Sequence, residues 1–322
     1  MSTILAFGEI LLRLSAPKGV ADHAPITAYY GGTESNVLAT LSGFGESTEF
    51  FTLLPDNPLG AGALAHLKAY RVGTTFAFLT RPTDRLGVYY SANLPGEKTR
   101  KVTYDRKNSA ITTIDPARLD HDHLFDGVTH FHVSGISLAL SSSCAKTALL
   151  LAHEAHQRGI PVSFDVNFRE ALWSVEEAKK VYQSIMSDVD FLFASVYDLT
   201  TFFSLPASDP YSPFFSRYGV QAIFSTERGE NMSPLVGTLG AEAHWRGASF
   251  VLPKQKFKLI DRIGSGDAFD AGVLEILLHQ KGNYPLALAN GLSCAILKHK
   301  VKGDVLLAKK EDVDALRDHF TL

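Results

Sequence analysis

Short apolar runs recur along the chain, and between them lie stretches whose apolar residues repeat every three to four positions. The runs are 3–8 (TILAFG), 129–135 (THFHVSG), 161–167 (PVSFDVN), 190–195 (DFLFAS) and 220–226 (VQAIFST). Each is rich in Val, Ile or Phe and bounded by turn residues, the pattern of an interior strand. In 35–44, Val37, Leu38, Leu41 and Phe44 share one helical face, and 143–158, 174–187, 266–281, 284–299 and 310–319 are patterned alike. This alternation predicts an α/β fold with a central, mostly parallel sheet covered by helices on both faces.

Two segments break the alternation. Residues 10–30 and 86–106 carry LLRLS, ITAYY, LGVYYSANL and RKVTYDR, in which polar and aromatic residues interleave. Strands of that composition are too polar for the central sheet and predict a small sheet of their own, with a hairpin turn at Gly96. No long linker, repeat or low-complexity tract divides the 322 residues, so 1–322 reads as one domain carrying the lid strands.

Composition narrows the function. Lys and Arg number 31 against 34 Asp and Glu, a net charge of −3, without the basic excess of a nucleic-acid binder. Two cysteines, Cys144 and Cys294, argue against a disulfide framework or a four-ligand zinc site. The apolar stretch 3–12 is interrupted by Glu9 and followed by Arg13, far short of a membrane span, and it lacks the features of a signal peptide. A cytoplasmic protein with no membrane partner is expected.

The segment richest in chemistry is 261–272, DRIGSGDAFDAG. Gly264, Ser265 and Gly266 precede a clear helical pattern, and a glycine turn feeding a helix N-terminus offers free N–H groups and the positive end of the helix dipole to an anion. Asp267 falls in the first turn, where a carboxylate can also serve simply as a cap; Asp270, one turn later, reads as a solvating or orienting group. The turn does not fit the dinucleotide fingerprint, because Phe269 stands where its third glycine should be, and no Walker A sequence occurs. A second glycine pair, Gly31 and Gly32, precedes Glu34, Ser35 and Asn36 at the start of a helix, where backbone can approach a ligand closely.

These two segments resemble the signature regions of the ribokinase/PfkB sugar-kinase family, whose loop runs roughly D-T-x-G-A-G-D-A-F-x-x-G. The resemblance extends over nearly the whole chain. It implies a ribokinase-like αβα sandwich with a β-sheet lid, and ATP-dependent phosphorylation of a sugar hydroxyl. Asp267 then corresponds to the general base, and Gly264, Ser265 and Gly266 to the anion hole. Within the family the chain is most similar to the 2-keto-3-deoxygluconate kinases, through DVNFREALW (165–173), YDRKNSA (104–110) and GVYY (87–90). The resemblance assigns Gly32, Asn36, Tyr89, Tyr104, Arg106 and Arg169 to the sugar acid. It assigns Asn167, Thr226, Arg228, Gly229, Gly264 and Gly266 to the nucleotide. ATP and Mg²⁺ are the implied cofactors, with Mg²⁺ held mostly by ATP and water and no protein ligand named for it; a monovalent cation is left open. Independently, Arg106 and Arg169 are guanidinium forks suited to a carboxylate or phosphate.

Two segments depart from the family pattern. Ser195 and Asp198 replace an Asn-x-x-Glu, and 225–232 (STERGENM) keeps Gly229 but has Asn231 and Met232 near an expected second glycine. The rival expectations are a fructokinase-like enzyme of the same family and a non-catalytic sugar sensor. Exposed lid edges lead to the expectation of a homodimer through the lid. His130 and His132, two apart on a strand, and HEAH at 153–156 read as ordinary strand and helix residues, since nothing completes a metal site around them.

Overall fold

The computed structural model describes residues 3–16, 23–93, 100–229 and 235–320; Gly96, Asn231 and Met232 lie outside the described residues. Nine strands form the large sheet: β1 (Thr3–Phe7), β4 (Ser47–Pro55), β5 (Ala77–Thr80), β8 (Val128–Ser134), β9 (Val162–Asp165), β10 (Phe191–Phe193), β11 (Ala222–Arg228), β12 (Val236–Trp245) and β13 (Ala248–Lys258). Their order is β13-β12-β11-β10-β9-β8-β1-β4-β5. The run from β11 to β5 is parallel throughout, and β12 and β13 add an antiparallel hairpin at one edge.

Strand β1 shows why such a sheet needs helices on both faces. Ile4 and Ala6 enter one apolar cluster and Leu5 and Phe7 the other, all fully buried. The first cluster packs against helices Thr33–Gly43, Pro58–Ala69, Ser265–His279 and Tyr284–His299. The second is covered by Ser142–Gln157, Val175–Ile185, Val196–Phe203 and Tyr211–Arg217. This is the predicted α/β sandwich. His130 and His132 project from β8 to the same side, both buried, and share the Ser163 hydroxyl at 2.9 and 2.8 Å. No helix among the described residues is long and apolar enough to cross a membrane.

The second sheet is built from the two polar segments. It contains β2 (Leu11–Ala16), β3 (Thr27–Gly31), β6 (Val88–Asn93) and β7 (Arg100–Asp105) in the order β3-β2-β6-β7. Only β2 and β6 pair in parallel; the outer pairs are antiparallel. The register puts Tyr29, Arg13, Tyr89 and Tyr104 side by side across the sheet. Directly paired residues share a face, so one row of aromatics and a guanidinium looks toward the body of the protein. Arg13 lies over the Tyr29 ring at 4.3 Å, and the Tyr89 and Tyr104 rings are 5.9 Å apart.

Candidate active site

A cavity of about 340 Å³ lies under this sheet, at the carboxyl ends of the central strands. Glu9 follows β1, Asp165 ends β9 and Arg228 ends β11, and all three line it. Open α/β sheets place ligands at this end of their strands.

One wall is the turn before helix Ser265–His279. Gly264 is its N-cap, with φ +78°, a left-handed conformation that disfavours side chains. Space forbids a side chain as well, because a Cβ on Gly264 would collide with the Asp304 carbonyl oxygen. A Cβ on Gly266 would meet nothing within 4 Å, so the first turn opens directly onto the cavity. Helix geometry leaves first-turn N–H groups without carbonyl partners, and here they can face a bound anion.

Asp267 sits in that first turn but does not cap the helix; no side chain does. Its Oδ2 instead accepts from Asn36 Nδ2 at 2.6 Å, across the contact between helices Thr33–Gly43 and Ser265–His279. Asp267 is half-buried, its open side toward the cavity, and the protein packed around it raises its pKa to about 7. The Asn36 hydrogen bond and Arg169 oppose that rise, while Asp165 and Asp304 add to it. A carboxylate poised near neutrality suits a general base.

Of the two readings of Asp270, burial removes the solvating one. The residue is 2% exposed, its Oδ2 has no hydrogen-bond partner among the described residues, and it meets Asp165. Burial raises the pKa of both carboxyls, and two acids in contact at such a site hold a proton between them. Asp165 Oδ1 also accepts from the Asn167 amide at 3.1 Å.

The two predicted arginines divide. Arg106 is buried, and its Nε donates to Glu9 Oε2 at 2.8 Å, so an internal carboxylate already neutralises it. Arg169 is exposed and lines the cavity, as Arg106 also does; among the described residues its Nη1 donates only to the adjacent Phe168 carbonyl, at 3.0 Å. Arg228 and Arg262 line the same wall, and no carboxylate among the described residues forms an ion pair with any of these three. Burial, then Arg262 and Arg169, lowers the Arg228 pKa: three like charges gather at a cavity that the Asp165, Asp267 and Asp304 carboxyls also line.

Gly32, Asn36, Tyr89, Tyr104 and Asn167 all line the cavity, as do Gly264, Ser265, Gly266 and Asp267. A Cβ on Gly32 would collide with the Glu9 carbonyl, which explains the glycine there. Asn167, at φ +38°, donates through Nδ2 to Thr33 Oγ1 at 3.2 Å. Gly229 borders a smaller neighbouring recess of about 130 Å³ that shares Arg228 and Arg262 with the main cavity; Thr226 borders neither. Ser195 and Asp198 form a reciprocal helix cap, with Ser195 Oγ donating to Asp198 Oδ2 at 2.6 Å. The shorter carboxylate is therefore committed to its own helix.

Sequence patterns assigned no role to several residues in and behind the wall. Glu34 is buried beside the cavity and accepts from the Ser134 amide at 2.9 Å and from the Ser134 and Ser137 hydroxyls at 2.7 Å. Asp304 receives the Tyr89 hydroxyl at 3.0 Å, and Arg13 pairs with Asp304 at 2.7 Å and Asp261 at 3.2 Å.

A profile of the pfkB family carbohydrate kinases matches residues 1–306. The chain is 31% identical over 316 residues to a 2-dehydro-3-deoxygalactonokinase of Haloferax volcanii, covering 97% of this chain and 95% of the relative. A 2-dehydro-3-deoxygluconokinase of Bacillus subtilis is 24% identical over 305 residues, covering 94% of this chain and 90% of its own. The crystal structure of a 2-dehydro-3-deoxygluconokinase from Thermotoga maritima has a TM-score of 0.90 to this chain at 29% identity, covering 99% of this chain and 100% of that one.

Proposed function

The chain belongs to the pfkB family of carbohydrate kinases, and on that premise we propose that it transfers the γ-phosphoryl group of ATP to the primary hydroxyl of 2-keto-3-deoxygluconate. One observation carries the reading: Asp267, held by Asn36, opens from a helix N-terminus onto a cavity that Arg169, Arg228 and Arg262 also line, none of them ion-paired among the described residues.

Asp267 accepts the proton of the attacking hydroxyl. The N–H groups of the Gly264–Asp267 turn face the charge on the transferring phosphoryl group, which is electrostatic stabilisation at a preorganised site. Arg228 and Arg262, shared with the neighbouring recess, suit the remaining phosphates, and Arg169 suits the sugar carboxylate. Arg228, Arg262 and the N–H groups of the turn would hold the phosphates of a nucleotide–metal complex, and Mg²⁺ would supply neutralisation of phosphate charge there. Tyr89 and Tyr104 would cover the sugar and exclude water.

ADP release should be measured with Mg²⁺ and 2-keto-3-deoxygluconate, 2-keto-3-deoxygalactonate, fructose or ribose. A charge-assisted contact to the acid predicts a preference over the neutral sugars of at least ~10²-fold in kcat/KM. Equal turnover of fructose would overturn the sugar-acid assignment.

A further inference from the structure

Asp270 is a buried acid with no part in the steps assigned to Asp267 and the turn before it. It lies one turn after Asp267 on helix Ser265–His279, and residues three apart are neighbours on a helix face. Unlike Asp267 it does not line the cavity; its side chain is shut in, and no donor reaches Oδ2 among the described residues. The group against it is a second acid. Asp165, at the carboxyl end of β9, meets Asp270 on one side and lines the cavity on the other.

Two carboxyls in contact at so dry a place cannot both be ionised, so one proton stays between them. The surroundings decide which of the two keeps it. Asp165 is half-buried, its Oδ1 accepts from the Asn167 amide at 3.1 Å, and the Arg169 guanidinium attracts its charge. The Asp270 side chain has neither an N–H donor nor an ion-pair partner among the described residues. A hydrogen bond and a cation favour the charged form, so Asp165 carries the charge and Asp270 the proton.

We propose that Asp270 is a positioning residue for phosphoryl transfer: as a neutral acid it donates to Asp165 and keeps that carboxylate charged at the cavity wall beside Asp267. The inference rests on the kinase reading above, with Asp267 as the base. A negative charge there opposes the one that Asp267 gains on losing its proton, which makes Asp267 the stronger base. Asp304 acts on Asp267 in the same direction, while Asn36 and Arg169 act against it. Around Asp165, Glu34 and Asp198 repel its charge and Arg169 attracts it. Of the side chains facing Asp165, Asp270 alone gives it a proton to share. Through Asp165 the same donor also steadies the turn that carries Asn167 and Arg169.

The test takes two variants of the full chain through two measurements. Asp270→Asn keeps a donor for Asp165 but has no proton to lose; Asp270→Ala removes the donor. Asp165 then takes up the proton itself, and Asp267 loses the charge beside it. With 2-keto-3-deoxygluconate, ATP and Mg²⁺, the acidic limb of the kcat–pH profile should move down by about half a unit to one unit in Asp270→Ala. In Asp270→Asn it should keep its wild-type position. Lost packing alone would lower kcat at every pH and leave both limbs in place, and that result overturns the proposal. An Asp270→Asn limb displaced as far as that of Asp270→Ala overturns it too. Infrared spectra without ligand give a readout that does not depend on turnover, because a protonated carboxyl absorbs apart from a carboxylate. At about pH 8, the difference between wild type and Asp270→Asn should contain one protonated carboxyl. Its absence would overturn the proposal even if Asp270→Ala fails to fold. A wild type that shows this band but phosphorylates no sugar acid would overturn the functional reading, and the positioning role with it.

Discussion

Asn36 and Asp267, 231 positions apart in the chain, meet at 2.6 Å, with the amide donating to the carboxylate. A hydrogen bond to the charged form favours it, so this contact restrains a pKa that burial has driven up to about 7. Asn36→Ala should therefore raise it further. A base must be deprotonated to act, so the acidic limb of the kcat–pH profile should move to higher pH. Turnover should fall at pH 7 and recover in part by pH 8.5. An unmoved limb would show that Asn36 does not tune the base.

Asp267→Asn retains shape and the option of a hydrogen bond but cannot accept a proton from the sugar. Turnover should fall on the order of 10²–10⁴-fold, with the sugar KM little changed, because the interaction lost exists chiefly in the transition state. Near-wild-type kcat in a steady-state assay would remove Asp267 from the mechanism.

Arg106 and Arg169 should respond differently although the same sequence argument singled out both. Arg106→Ala leaves Glu9, 4% exposed, with the Ser109 hydroxyl but no cation. Breaking such a buried pair costs about 3–5 kcal/mol, so Tm should fall by several degrees. Arg169→Ala breaks no ion pair among the described residues. Its Tm should stay at the wild-type value while the KM for the sugar acid rises about tenfold or more at little-changed kcat. A thermal melt and a saturation curve on each variant separate the two roles, and a destabilised Arg169→Ala would contradict this assignment.

What could be read from sequence followed how locally each feature is encoded. The Gly264 turn was legible because a left-handed glycine, a helix start and Asp267 lie within four consecutive residues. The lid was legible because polar and aromatic residues alternate in both of its segments. Arg13 and Asp304 left no such mark: Arg13 meets Asp261 across 248 positions, and Tyr89 meets Asp304 across 215. The Glu9 partner of Arg106 is 97 positions away, so nothing near Arg106 in the chain marks its guanidinium as already paired. Strands β12 and β13 escaped because they form an edge hairpin whose outer strand buries Leu252 and Phe257 and is otherwise largely exposed, including the polar PKQKFK stretch. Asp270 read as a solvating or orienting group, and nothing in its helix announces the Asp165 carboxyl that faces it.

The histidine pair in β8 should give stability a distinctive pH dependence. Burial lowers both His130 and His132 to about 3, with Lys281 adding to the effect at His130 and His130 itself adding to it at His132. The unfolded chain, with ordinary histidines near 6.5, binds protons that the folded chain refuses. Their contribution is therefore fully present above about pH 6.5 and is lost as pH falls toward 3. Asp267 and Asp304, whose folded pKa values are raised to about 7 and about 6, act with the opposite sign over part of that range. The histidine share is therefore read as the difference between wild type and His132→Gln in Tm or urea midpoint from pH 7 to pH 4. Between these limits His132→Gln should show a shallower acid decline, by up to one proton's worth of slope. Parallel curves for the two proteins would mean that His132 is not held neutral in the fold.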